Sequence, residues 1–159
     1  MGQFFNLDLF LTTLVAHRLA NHVARARPVQ YRDLAALRGD LALLLSVVAH
    51  ACAAEDPIRM ARERVAAGCA QIGISLPTLP YAEIVKRGIQ GSLGRVNAVA
   101  PLRKPMVIKA LVATALDEQE HISLSGADLV RTICACIDAP LPPVVEAFYL
   151  EAADALRAS

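Results

Sequence analysis

The chain reads as an all-α protein, a bundle of six to seven helices. Three observations predict it. Apolar residues recur at i, i+3, i+4 and i+7 along nearly the whole chain. No segment keeps the strict apolar–polar alternation of a half-buried strand. Prolines stand between the periodic segments or at their starts.

The first helix is expected from Asn6, its N-cap, to about Arg25, with Asp8 in the first turn and Pro28 beyond its end. Leu7, Phe10, Leu11, Leu14, Val15 and Leu19 form its buried stripe. A second helical region runs from Tyr31 to Ala54, with Leu34, Leu37, Leu41, Leu44, Leu45 and Val48 inward and a break at Gly39-Asp40. Asp56-Pro57 has the form of an N-cap followed by proline at the first helical position, so a third helix is expected from there to Ile72, stopped by Gly73. Pro77 and Pro80 hold the next loop open. A fourth helix is expected over 81–98, weakened by Gly88, Gly91 and Gly94. Pro101 and Pro105 bracket the start of a fifth, which ends at Leu116. Ser123 or Ser125 caps a sixth, which reaches Ile137 and turns Leu129, Val130, Ile133 and Ile137 inward. A seventh spans Pro143–Arg157 and buries Val145, Phe148, Tyr149, Ala152 and Leu156. At 159 residues the chain reads as one all-helical domain, 1–159, with candidate sub-units 1–75 and 81–159 about the loop 73–80. Phe5-Asn6-Leu7 and Ile122-Ser123-Leu124 open their helices alike, an echo of two related units.

Composition narrows the function classes. Hydrophobic residues make up 55% and mean hydropathy is +0.43, while aromatics are 4% and Trp is absent, so the core is aliphatic. The longest apolar run, Leu41–Ala54, falls short of the roughly 20 residues a membrane span needs. The N-terminus lacks the basic region of a secretion signal, and Asn6 stands where a myristoylation motif needs Ser or Thr. Residues 1–109 carry 14 basic and 7 acidic side chains, residues 110–159 carry 2 and 8, so halves of +7 and −6 compose a net +1. Such ends attract each other within one fold, or a basic face meets an anionic membrane or acidic partner. Scattered basic residues and few stacking aromatics argue against nucleic acid.

No catalytic, cofactor or metal site is expected. The chain has no HExxH, P-loop, GxSxG or GxGxxG motif. His17 and His22 are five apart, off the spacing that places two ligands on one helix face. His50 and Cys52 do not face each other on a helix. Cys134 and Cys136 point about 200° apart, and with Cys52 and Cys69 they read as reduced thiols of the cytosol. His50 reads as a boundary histidine or a satisfied core histidine. Asp117, Glu118, Glu120 and His121 cluster as DEQEH, but a calcium loop needs a turn glycine and a late bidentate carboxylate that are missing. The cluster reads as a solvated polar turn.

The segments LALLLSVVAHA and LRKPMVIKALVATALDEQEHISLSGADLVRTICACIDAPLPP resemble the C-terminal cytoplasmic region of bacterial membrane-bound zinc metallopeptidases, the HtpX-like or Ste-type enzymes, and also TerB-like helical domains. NLDLFLTTLVAHRL is similar to an earlier segment of that region. The resemblance is carried by Ile122, Leu129, Arg131, Ile133 and the run Pro140-Leu141-Pro142-Pro143. Gln119-Glu120 stand where the pattern has Asp-Gly, Gly126 stands for its first Glu, Asp128 keeps the second acidic position, and Ala139 replaces a Cys. The resemblance implies a non-catalytic, soluble interaction or regulatory domain on the cytoplasmic side of the membrane. Zinc belongs to an upstream catalytic domain, and the partners are that domain or other proteins. A stand-alone TerB-like interaction module or a helical oligomerisation domain are the alternatives. Should the first helix lack a covering helix, Phe4, Phe5, Phe10 and Leu14 form an interaction surface through which the chain self-associates.

Overall fold

Residues 34–55 are apolar on every side, and a helix of that kind needs neighbours all round. The computed structural model, which describes Val15, residues 29–55 and 58–159, supplies them. A 3-10 turn at Leu34–Leu37 leads into α1 (Arg38–Glu55), which packs against each of the next five helices. The expected stripe is buried, and so are Leu43, Val47, Ala49 and Cys52 on the other faces. By length and composition Leu34–Glu55 would serve as a membrane span, yet 72% of it is buried inside the bundle, which accounts for its composition. The break expected at Gly39-Asp40 falls earlier, between the 3-10 turn and Arg38. Asp40 is buried and used. Its Oδ1 accepts from Ser92 Oγ at 2.8 Å and from Arg95 Nε at 2.9 Å, tying α1 to α4.

The other helices are α2 (Ala61–Ile72), α3 (Tyr81–Arg87), α4 (Gln90–Asn97), α5 (Lys104–Ala115), α6 (Leu124–Cys136) and α7 (Pro143–Ala158), with no strand among the described residues. The all-α class expected from periodicity is therefore present, with seven α-helices between Arg38 and Ala158 among the described residues. Two isolated bridges, Tyr31 with Val99 and Leu116 with Ile122, are the only extended pairings described. One contiguous apolar core draws side chains from every helix.

Three findings correct the expectations. The third helix begins at Ala61 rather than at Pro57; Asp56 and Pro57 lie outside the described residues, and Ile58–Met60 are not helical. The start is fixed downstream, where Glu63 Oε2 accepts from the Met60 N–H at 3.1 Å. Its stop is the expected one: Gly73 adopts φ 66° and its N–H donates to Cys69 O at 2.9 Å. The expected helix 81–98 is two helices, because Gly88 takes φ 64° and ψ 165°, a conformation essentially confined to glycine. A Cβ there meets nothing within 4 Å, so Gly88→Ala is expected to cost about 1–3 kcal/mol from backbone strain alone. Urea denaturation measures it, and an unchanged midpoint would refute the assignment.

The third correction concerns α7. Val145 is buried and Phe148 and Tyr149 are half-buried as expected, but Ala152 is exposed and Leu156 is 78% exposed. Among the described helices α7 packs on α6, and its second half runs past that partner. The first helix and its surface residues Phe4, Phe5, Phe10 and Leu14 lie outside the described residues. Val15, the one described residue there, is helical and 54% exposed rather than buried.

Candidate interaction surfaces

The DEQEH turn is organised around one carboxylate. Asp117 Oδ1 accepts from the N–H of Gln119 and of His121, both at 2.8 Å. The Asp117 N–H donates to His121 O at 2.9 Å, and Leu116 pairs with Ile122 behind it. Glu120 closes the turn at φ 61°, left-handed backbone that glycine adopts more readily. Asp117 is thus spent on its own loop, while Glu118 and Glu120 face solvent. No group of three or more His, Cys, Asp or Glu side chains among the described residues could hold a metal.

The two N–H donors, His121 first, hold the Asp117 carboxyl below the usual carboxylate range. A carboxylate depressed in the folded state stabilises above its ordinary pKa, and that contribution is lost as pH falls through the folded value. Stability is expected to fall more steeply below about pH 4 than in Asp117→Asn, which has no charge to lose. Parallel acid titrations followed by circular dichroism would contradict this if the two curves ran together.

Ser123 caps α6: its Oγ accepts from the Gly126 N–H at 3.1 Å. Ser125, the other candidate, donates instead to Glu55 Oε1. Of the two readings of His50, the boundary one holds: it is half-buried, with Nε2 2.8 Å from Leu79 O. Ser46 beside it accepts from the Leu79 N–H at 2.9 Å, so α1 holds the loop 73–80 at two points. No disulfide joins the four cysteines, and Cys52, Cys134 and Cys136 are buried. Burial pushes the Cys134 thiol up to about 12, away from nucleophilic chemistry. Lys104 donates to Ile137 O at 2.6 Å and Asn97 Oδ1 at 2.9 Å, capping the end of α6. Desolvation lowers its pKa, partly offset by Asp138.

No protein-family model matches the sequence, and comparison with curated proteins and with solved structures finds no match.

An apolar groove of about 620 Å³ lies between α5, the end of α2 and the segment 140–144. Ile108, Val112, Ala113 and Leu116 form one wall, Pro140 and Leu141 the other, and Lys109 stands at the rim. Sequence reading missed it. The run Pro140–Pro143 was legible as a helix stop, but a stop becomes a wall only when the chain folds back beside α5. The available signal was Val112, one turn beyond Ile108 and in line with Leu116, an apolar row at i, i+4 spacing along that helix.

Proposed function

We propose that the chain is a non-catalytic interaction domain whose groove takes an apolar segment of a partner protein. The groove beside α5 carries this reading. It is concave and apolar, and it presents one positive charge, Lys109. A matching segment is an amphipathic helix with an apolar stripe and an acidic residue to meet Lys109. The resemblance to the cytoplasmic region of membrane zinc metallopeptidases gives a context, in which the domain sits at the inner face of the membrane and regulates a catalytic unit that holds the zinc. The all-α bundle agrees with that resemblance. So does Glu120, left-handed where the resembled pattern has glycine.

Selection from a displayed library of helical peptides tests the reading. Enriched peptides are expected to share an apolar stripe and to lose tenfold or more in affinity for Ala113→Glu, with Lys109→Glu weakening the acidic ones. Failure to enrich, or binding indifferent to both variants, would overturn the groove. Stoichiometric zinc in the purified chain together with chelator-sensitive proteolysis would overturn the non-catalytic assignment.

A further inference from the structure

The sequence divides into a basic part and an acidic part, and the fold turns that division into two ends. Lys104, at the start of α5, donates to Ile137 O past the end of α6 and to Asn97 Oδ1 at the end of α4. Ser92 and Arg95 of α4 bond Asp40 at the start of α1. So α1 and α5 start at one end of the bundle. They finish together at the other, where Ser125 donates to Glu55 and Arg59 donates to Leu116 O. Arg32, Arg38, Arg95, Arg103 and Lys104 gather at the first end, and Arg87 joins them, its Nη2 3.8 Å from where a Cβ on Gly39 would stand. Asp33, Asp40, Glu83 and Asp138 oppose them. At the second end stand Glu55, Asp117, Glu118 and Glu120. The 18 residues of α1 separate the ends by about 27 Å, roughly three Debye lengths at physiological salt. The basic end therefore acts on its surroundings without being cancelled by the acidic one.

An exposed apolar tip stands among these cations. Tyr31 bridges Val99 in parallel, with the Gln30 N–H donating to Ala98 O at 2.9 Å and the Ala100 N–H to Tyr31 O at 2.8 Å. That pairing runs Arg32 alongside Ala100, just before the 3-10 turn Pro101-Leu102-Arg103. Leu102 is 90% exposed, the most exposed large apolar side chain described, and Arg32 and Arg103 are exposed beside it. Pro101 and Pro105 stiffen the turn, so covering its tip costs little conformational freedom.

We propose that this end docks on an anionic lipid surface, with Leu102 at the headgroup–acyl boundary and Arg32 and Arg103 on the lipid phosphates. Charge and shape together select lipid. Guanidinium groups bind phosphate through paired donors, and their apolar stems lie along the tails while their heads stay at the phosphate level. Leu102 projects from its turn, and a bilayer interface accepts a convex apolar tip ringed by cations without offering a preformed pocket. The exposed carboxylates of this end have donors within the protein: Asp33 accepts from the Ala35 N–H at 3.4 Å, and Asp138 accepts from Asn97 Nδ2 at 3.1 Å. One leucine and a few cations give weak, reversible binding. The acidic end faces away from the membrane. Docking here is independent of the groove beside α5.

The test is co-sedimentation of the full chain with vesicles of phosphatidylcholine, alone or with about 30% phosphatidylglycerol. Binding to the anionic vesicles is expected to be at least tenfold stronger and to vanish at about 0.5 M salt. Arg32→Glu/Arg103→Glu should weaken it tenfold or more. Arg62→Glu/Arg157→Glu makes the same charge change on exposed arginines of the other end and should bind within about twofold of the unaltered chain. Circular dichroism checks that both variants fold. With Cys69→Ser leaving only buried thiols, a polarity-sensitive dye on Leu102→Cys should shift to the blue on anionic vesicles, and one on Gln119→Cys should not. Equal losses in the two double variants would show that net charge alone acts, and would overturn the proposal. So would a dye at Leu102→Cys that stays in water, or no binding to either vesicle. Binding of soluble glycerol phosphate without binding of vesicles would reveal an anion site and no membrane contact, which also overturns it.

Discussion

Gly68→Ala is expected to destabilise the protein by about 3 kcal/mol, at the upper end for overpacking a core. The residue lies in α2 where that helix crosses α5. A Cβ at Gly68 would stand 2.2 Å from Thr114 Oγ1, 2.9 Å from the Ala110 carbonyl oxygen and 3.2 Å from Leu45 Cδ1. Rotating Thr114 relieves only the first contact, and breaks the bond its Oγ1 donates to Ala110 O at 2.8 Å. The second contact is to backbone, so α2 and α5 must move apart, and Leu45 on α1 closes the third side. Because interiors are packed to crystal-like density, that separation disturbs the centre of the fold. Urea denaturation should show the loss, with a fall in Tm of about 10 °C. The double variant Gly68→Ala/Thr114→Ala removes one clashing atom and should recover about 1 kcal/mol relative to Gly68→Ala alone. If Gly68→Ala folds with wild-type stability, the helices are not in the contact described.

This crossing was not legible in the sequence. Gly68 sits in a helical pattern where a glycine reads only as a small loss of propensity, and nothing in one chain's order of residues says that Thr114 will lie against it. What was legible is local. Gly73 as a stop, Ser123 as a cap and the inward row Leu129, Val130, Ile133 and Ile137 are set by residues within a turn or two of each other. Errors arose where a local signal met a non-local one. Asp56-Pro57 has every mark of a helix start, yet Arg59 and Met60 are held outside the helix: Arg59 Nη1 donates to Leu116 O at 2.7 Å, 57 residues away. The stripe of α7 is correctly periodic, but periodicity does not say how far the neighbouring helix extends. Leu156 continues the row begun by Val145 and Tyr149 past the point where α6 begins.

The candidate site divides in the same way. That DEQEH forms a polar turn between two helices was legible in the sequence. That Asp117 takes the amides of Gln119 and His121 could only be seen in three dimensions. The groove depends on 140–144 lying beside α5, a pairing with no local code.

Arg64→Met is expected to cost about 3 kcal/mol, although it keeps an unbranched apolar stem and adds no clash. Arg64 is 1% exposed, the bulkiest fully buried side chain described, on α2 beneath the end of α5. Its Nη1 donates to Ala115 O at 3.2 Å and Leu116 O at 3.0 Å, and its Nε to Arg59 O at 3.3 Å. The last carbonyls of a helix have no partner within it, and burial makes an unanswered one costly. The guanidinium also brings positive charge to the negative end of the α5 dipole. Methionine replaces the apolar stem, leaves the space of the guanidinium unfilled and donates to none of these oxygens. Lysine restores a charge but not the planar fork that reaches two carbonyls and a third oxygen behind, so Arg64→Lys should recover less than half the loss. The damage should be directional. Amide exchange in 116–122, the segment that α5 releases into the DEQEH turn, is expected to accelerate tenfold or more in Arg64→Met at stabilities where the amides of α4 still exchange slowly. Uniform acceleration across α4 and 116–122 would mean that Arg64 acts as generic core volume and not as the cap of α5.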